Sequence, residues 1–281
     1  MMNSIIWNAR GINNKDTRYH LSFLVSKYNT MILNISEPKV NSRKIKNLIK
    51  KLGFNNLFYD HEVNNHIVVM WKMDVDLSIV YCDDQMATFK GNHSRFGQEF
   101  YLSIIYALCS KHARRRIWEG LLDLSNQIKV PWIVGGDFNV ISNWNEKIGG
   151  RLVDDGSMKE FNCFIIQSGL IDISLNTYAF SWTNNHQGSS RIYKKLDRVF
   201  INSEAMVKMH GIKSDYLPRV QSDHMPMLIS FGNSDYKAGP FKFLKMWTDH
   251  EDFLQFVEDC WQVPSHSNGL LNLHNEAETF E

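Results

Sequence analysis

A chain of 281 residues, 43% hydrophobic and 22% charged, can bury a substantial core and has the composition of a globular protein, which excludes a disordered or fibrous class. A formal net charge of +1 excludes a dominant cationic field, and the four cysteines, Cys82, Cys109, Cys163 and Cys260, are too far apart for a disulfide or zinc framework, so they read as reduced thiols. No run approaches the roughly 18 apolar residues of a membrane helix and the first residues lack a secretory pattern; the expectation is a soluble protein with no membrane partner, nuclear or cytoplasmic.

In chain order, Ser4 to Trp7 reads as a strand, Leu21, Leu24, Val25 and Tyr28 fall at helical spacing, and Met31 to Ile35 reads as a strand that delivers Glu37 to its end. Ile67 to Trp71, Val75 to Tyr81, Met86 to Lys90 and Phe100 to Tyr106 follow as strands without intervening helices, which predicts antiparallel hairpins. Ile117, Leu121, Leu122, Leu124 and Ile128 then form the apolar face of a helix. The apolar run Val130 to Val134 leads into Gly135-Gly136-Asp137-Phe138-Asn139, where two glycines allow a sharp turn just past a buried strand. Ser157 and Glu160 form a capping box before Phe161, Phe164 and Ile165, with Gly169 as the stop. Ser222-Asp223-His224-Met225-Pro226 sets an acid beside a histidine at the mouth of the apolar stretch Met227 to Phe231. The alternation predicts an α/β domain over residues 1–231. Residues 232–239 shift to Gly, Asn, Ser, Asp and Lys, reading as a linker. Beyond it, Thr248 and Glu251 cap a helix with an apolar stripe at Phe253, Phe256, Val257, Cys260 and Trp261, and residues 265–281 read as a disordered tail.

The polar residues at strand ends are Asn8, Glu37, Tyr106, Asp137, Asn139, Asp197, Asp223 and His224. One acid in such a place is more often a turn former or cap than a catalyst, but eight polar residues in the same topological position suggest a shared site. The set contains no serine at a nucleophile elbow and no phosphate-binding glycine loop, which disfavours acyl transfer and nucleoside-triphosphate hydrolysis. Oxygen donors suit magnesium, and hydrolysis of a phosphodiester fits these parts. Competing structural roles are concrete. An isolated histidine is usually a satisfied structural one, and Asp197 could pair with Lys194, Lys195 or Arg198. The basic runs Arg43 to Lys46, Lys50-Lys51 and Arg114-Arg115-Arg116 either grip DNA phosphates or form solvated helix faces, and Phe180 and Trp182 either meet bases or pack in the core.

Trp7-Asn8, Ser36-Glu37-Pro38-Lys39, Ile105-Tyr106-Ala107, Gly136-Asp137-Phe138-Asn139, Leu196-Asp197-Arg198-Val199-Phe200 and Ser222-Asp223-His224-Met225-Pro226 resemble, in this order, the motifs of the endonuclease/exonuclease/phosphatase superfamily over nearly all of residues 3–231. Within it, Met158 to Asp172, Ser181-Trp182-Thr183-Asn184 and Leu217-Pro218-Arg219 resemble the endonuclease domain of plant LINE-type (non-LTR) retrotransposons. Gly239 to Phe243 and Met246-Trp247 resemble the segment that joins such a domain to a reverse transcriptase, so the chain reads as cut before that enzyme. The resemblance implies a DNase I-like four-layered sandwich, two mixed β-sheets face to face with helices outside. It implies a monomeric DNA endonuclease using Mg2+, with Mn2+ as a substitute, that nicks DNA and leaves a 3′ hydroxyl. Glu37 would be the principal metal ligand with Asn8 and Asp223 near the ion. Asp137 and Asn139 would handle the water, His224 oriented by Asp197 would meet the phosphate, and Tyr106 would donate to it. Arg114, Arg115, Arg116, Trp182 and Thr183 are the candidate DNA contacts. Alternatives are a superfamily enzyme acting on a small phosphoester and a retrotransposon relic that only binds nucleic acid. Two departures stand out: Arg10 replaces an acid found in several repair relatives, and His66 stands where glycines are expected, predicting a distorted hairpin turn.

Overall fold

The computed structural model describes residues 2–93, 99–151, 154–175, 179–231 and Glu258. The chain divides into Met1–Ser234 and Asp235–Glu281, and all elements below belong to the first unit. Apart from Glu258, the linker, the capped helix with its apolar stripe and the tail expected over residues 232–281 lie outside the described residues.

The first part of the chain forms β1 (Met2–Asn8), α1 (Lys15–Lys27), β2 (Thr30–Ser36), α2 (Ser42–Leu52), β3 (Asn56–Phe58) and β4 (Ile67–Trp71). Next come β5 (Val75–Cys82), β6 (Met86–His93), β7 (Glu99–Tyr106), α3 (Lys111–Gln127) and β8 (Trp132–Asp137). The remainder runs β9 (Lys147–Ile148), α4 (Asp155–Ser168), β10 (Ile171–Asp172), β11 (Ser174–Leu175), β12 (Trp182–Thr183), β13 (Tyr193–Lys194), β14 (Asp197–Ile201), α5 (Ser203–Lys208), β15 (Lys213–Tyr216) and β16 (Met227–Phe231).

Seven strands make one sheet in the order β11-β15-β16-β1-β2-β4-β3, six make a second in the order β10-β14-β8-β7-β6-β5, and β12-β13-β9 form a small third. Both large sheets are mixed: β1 runs parallel to β2 and β7 parallel to β8, while β16 and β14 join antiparallel. The predicted hairpins β5-β6-β7 form as a meander, but β4 pairs with β2 and β3 in the other sheet, so the chain crosses between sheets after Trp71.

Period-two alternation builds the layers. Ile6, Ile32 and Ile133 point into the core between the sheets, while their neighbours Ile5, Leu33 and Val134 point outward to the helices. Leu21, Leu24, Ile45 and Leu48 of α1 and α2 cover the outer face of the seven-stranded sheet. Ile117, Trp118, Leu121, Phe161 and Phe164 of α3 and α4 cover that of the six-stranded sheet. The result is the four-layered α/β sandwich with a DNase I-like arrangement. One boundary differs from expectation. Helix α4 is capped by Asp154, whose carboxylate accepts from the amides of Gly156 and Ser157, so Ser157 lies within the first turn; Gly169 ends the helix at φ +64° as expected.

Candidate active site

Register alone brings most of the predicted residues to one end of the sandwich. In the six-stranded sheet Tyr106 pairs with Asp137, and Asp137 pairs with Asp197, so three strand ends present their side chains in one row. In the seven-stranded sheet Asn8 pairs with Ser36, which sets Glu37 one residue beyond its strand, and His224 precedes β16. A hydrogen bond from Trp7 Nε1 to the His224 carbonyl (3.2 Å) holds that segment against β1.

Gly136 is required here. Its φ is +150°, and a Cβ would lie 1.9 Å from the Ile105 carbonyl oxygen of the neighbouring strand. Arg10, Glu37, Lys39 and Asn139 also take left-handed backbone conformations, with φ between +48° and +51°. Four non-glycine residues in this uncommon region around one crevice are a concentration of strain of the kind that marks functional sites.

His224 Nδ1 lies 2.9 Å and 3.1 Å from the Asp197 carboxylate oxygens, and its Nε2 lies 3.7 Å from Asp137 Oδ2. All three side chains are buried. The cations that could have held Asp197 are engaged elsewhere: Arg198 with Asp172 and Glu146, Lys195 with Asp172, and Lys194 over the Trp182 ring. Asn8 joins the two sheets, its Nδ2 standing 3.0 Å from Glu37 Oε1, 3.1 Å from Asp137 Oδ2 and 3.5 Å from His224 Nε2. The Arg10 amide donates to Asn8 Oδ1 and fixes that carboxamide's orientation. Asn139 donates its amide to Asp137 Oδ1 (3.0 Å) and its Nδ2 to the Ala107 carbonyl (2.7 Å).

Burial pulls the His224 imidazole down, but the charges of Asp197 and Asp137 push it well above its ordinary value, so His224 is an imidazolium at neutral pH. Burial pushes the Asp137 carboxyl up, helped by the nearby Asp197 and opposed by His224, which brings a carboxylate into the range useful to a general base. Burial, with the charges of Glu37 and Asp137, raises the Tyr106 phenol and keeps it a neutral donor. At Glu37 burial works against ionisation, yet hydrogen bonds from Lys39 and Asn8 and the charges of Lys39 and Arg10 hold its carboxyl below the usual range.

Two positions offer themselves to a cation. Asp137, Asp197 and His224 carry donor atoms all within 4.8 Å of one another, but they are buried and His224 Nδ1 already bonds Asp197. At the mouth, the Arg10 guanidinium stands 2.7 Å from Asp223 and 3.8 Å from Glu37, while Lys39 Nζ stands 2.7 Å from Glu37. A positive group bridging two carboxylates beside a carboxamide marks the place where a hard divalent ion with retained waters would fit. Glu37 and Asp223 supply carboxylate oxygens there, while Asn8 turns its Nδ2 toward Glu37 and keeps its Oδ1 on the Arg10 amide.

Several roles were invisible in the sequence. Ser222 Oγ accepts from the His224 amide and donates to the Asn8 carbonyl, and Ser181 Oγ accepts from the amides of Leu196 and Asp197. His66 stacks on Tyr106 at 4.4 Å, and its carbonyl accepts from the Glu37 amide. The pairing of Ser36 with Ile67 is the signal that would have placed it opposite Glu37.

The expected DNA contacts fare differently. Arg114 is buried and donates to the carbonyls of Leu108 and Cys109 and to Ser157 Oγ, so it pins α3 to α4 instead of facing solvent. Arg115 and Arg116 are exposed but pair with Glu160 and Asp84. Trp182 is half-buried and donates its Nε1 to Asp223 Oδ2 (2.9 Å), and Thr183 is buried, its amide bonded to the Asp223 carbonyl. These two residues hold Asp223 in place, and the Arg114 guanidinium is taken up by protein acceptors.

No helix among the described residues is long and apolar enough to cross a membrane. No protein-family model and no curated protein matches the chain. Solved structures do. The endonuclease domain of TRAS1, a telomere-specific non-LTR retrotransposon, is similar at 16% identity with a TM-score of 0.63, over 82% of this chain and 98% of that one. The TDP2 protein of D. rerio, complexed with a single-strand DNA product, is similar at 15% identity with a TM-score of 0.59, over 83% and 99% of the two chains. A mannosyl-6-phosphatase of Bacteroides thetaiotaomicron is similar at 15% identity with a TM-score of 0.58, over 83% and 100%. At such identities the likeness shows the fold, and this chain has the fold of the endonuclease/exonuclease/phosphatase proteins.

Proposed function

We propose that the chain is a divalent-metal-dependent phosphodiesterase that nicks DNA and leaves a 3′ hydroxyl, derived from a plant LINE-type retrotransposon whose reverse transcriptase adjoins this domain in the parent element. The observation that carries the reading is the buried row Asp197, His224, Asp137, tied through Asn8 to Glu37. Serine and cysteine nucleophiles have no place in that row. Its parts suit in-line attack of water on a phosphorus.

Asp137 takes the proton of a water that Asn139 helps to position, and the new P–O bond forms as the bond to the 3′ oxygen breaks. The His224 imidazolium, held by Asp197, and the neutral Tyr106 phenol donate to the phosphoryl oxygens as negative charge develops. The proton taken by Asp137 ends on the departing 3′ oxygen, so the products are a 5′ phosphate and a 3′ hydroxyl. A magnesium ion held by Glu37 and Asp223, with Asn8 close to its waters, would supply Lewis-acid polarisation of the phosphate and neutralise charge on the leaving oxygen. Arg10 and Lys39 flank that position and compensate the carboxylates.

A second reading has its own support. A cleft of 400 Å³ lined by Lys39, Asn41, Tyr59, Asn65 and His66 opens beside Glu37 and matches the size of a small-molecule site. A phosphorylated small molecule would fit such a cleft. Incubation of supercoiled plasmid with the protein and Mg2+ decides between them: nicked circles are expected, with Glu37→Ala and His224→Ala both inactive. Intact plasmid together with hydrolysis of a sugar phosphate would replace the nuclease by the second reading.

A further inference from the structure

The polar face of α2 carries Arg43, Lys44, Lys46, Lys50 and Lys51 and no acid. All five are exposed, and none forms an ion pair with a described residue. At about 100° per residue these cations and Asn47 fill one continuous arc of roughly 160°, while Ile45, Leu48, Ile49 and Leu52 face the core. The contrast with α3 is sharp, since Lys111, Arg115 and Arg116 there each meet an acid. Residues 1–231 hold 28 cationic residues against 21 acidic ones, a net +7, and five of those cations sit on this one helix.

The surface adjoins the candidate site. Helix α2 begins after the turn that carries Glu37 and Lys39, and its cap Asn41 has no acid in the turn that follows, so the helix dipole adds to the field at that end. Lys44 Nζ donates to Asn13 Oδ1 (2.7 Å) and the Ile12 amide donates to the Pro38 carbonyl, which ties the helix to the loop after Asn8. Between them lies a cleft of 320 Å³ into which Arg18, Lys44, Lys51, Asn13 and Asn47 converge.

We infer that the basic face of α2, with the Arg18, Lys44 and Lys51 cleft, is the docking surface for the phosphate backbone of duplex DNA flanking the cleaved bond. The inference rests on the proposed action on DNA. The helix is about 16 Å long, and duplex DNA presents about one charge per 1.7 Å of axis, so several phosphates lie within its reach. A bilayer fits poorly because the apolar residues of α2 are turned into the core and nothing remains to insert between lipids.

The test is binding of a labelled duplex to the His224→Ala protein as a function of salt, with and without Lys46→Gln, Lys50→Gln and Lys51→Gln combined. Each cation that meets a phosphate contributes about 0.9 to the slope of log K against log salt, so the slope should become shallower by up to about 2.7 and affinity at low salt should fall at least tenfold. The paired control Arg115→Gln with Arg116→Gln should change little. Hydrolysis of bis(4-nitrophenyl) phosphate by the otherwise wild-type triple variant should match wild type, and its circular dichroism spectrum should too. An unchanged slope beside active plasmid nicking overturns the docking surface and leaves the nuclease standing. A lost slope beside a wild type that neither nicks plasmid nor hydrolyses the small diester upholds the surface and overturns the nuclease. Preference for phosphatidylserine vesicles or for RNA over duplex DNA, abolished by the triple variant, overturns the assignment to DNA.

Discussion

Asp197→Asn keeps the shape of the side chain and its capacity to accept from His224 Nδ1 but removes the charge 2.9 Å away. The imidazole is raised from its ordinary 6.5 to about 9 although burial acts the other way. The net shift corresponds to roughly 3 kcal/mol favouring the imidazolium, and the carboxylates together must supply more than that to overcome desolvation. With Asp197 neutral, burial is opposed only by Asp137 and Asp223, and the titration of His224, followed by imidazole NMR in metal-free protein, should move well below 9. At pH 7.5 the group that donates to the phosphate is then largely lost, and kcat on plasmid should fall about 100-fold with KM nearly unchanged. Activity of the variant should recover partly as pH is lowered toward 6, because the imidazolium returns. Stability follows the same sign: a raised folded value stabilises fully below pH 6.5, and that contribution is lost as pH rises through about 9. Urea unfolding should therefore show wild type ahead of the variant at pH 6 by a margin that shrinks by pH 10. A His224 titration that stays near 9 in the variant, or a rate within twofold of wild type, would refute the assignment of Asp197 as the source of the charge.

Wild-type kcat/KM should rise through about pH 6, as Asp137 ionises, and fall through about pH 9, as His224 loses its proton; a profile flat between pH 5 and 7 would remove Asp137 as the base. Arg10→Ala takes away a cation that bridges Glu37 and Asp223, so Mn2+ measured by calorimetry at low ionic strength should bind a few-fold tighter, with the difference fading in high salt because Arg10 is 45% exposed. Gly136→Ala should cost roughly 3 kcal/mol or more by denaturant unfolding, since its Cβ meets backbone at 1.9 Å, whereas Gly53→Ala, left-handed at φ +72° but with open space around it, should cost only about 1 kcal/mol.

Where the sequence was informative, the information was local. The apolar run into Gly135-Gly136-Asp137 could be recognised because a buried strand followed by glycines has few other uses, and the order of the strand-end polar residues along the chain pointed to one crevice. Register then did what spacing could not: Asp197 faces Asp137 because β14 pairs antiparallel with β8, a fact no single segment encodes. The basic runs could not be told apart for the same reason. Arg115 finds Glu160 and Arg116 finds Asp84, 45 and 32 residues away in sequence, so Arg114 to Arg116 and α2 looked alike until partners separated by long loops were known. Trp182 is similar, because its hydrogen bond to Asp223 spans 41 residues. At α4 the ambiguity was chemical: Asp154 and Ser157 are both good caps, and the carboxylate prevailed by satisfying two amides at once.

The hydrogen bond from Asn8 to Asp137 joins a strand of one sheet to a strand of the other. Nearby, a Cβ on Gly135 would come 2.6 Å from Ile6 Cδ1, so the sheets lie as close as a missing methyl group allows. The site therefore works as a caliper, its jaws set by the thickness of the core behind it. A substitution that wedges the sheets apart by a fraction of an ångström would misalign Asn8 and Glu37 against Asp137 and Tyr106 well before the sandwich unfolds. Sequences that drift in the core would thus lose the reaction first and the fold later.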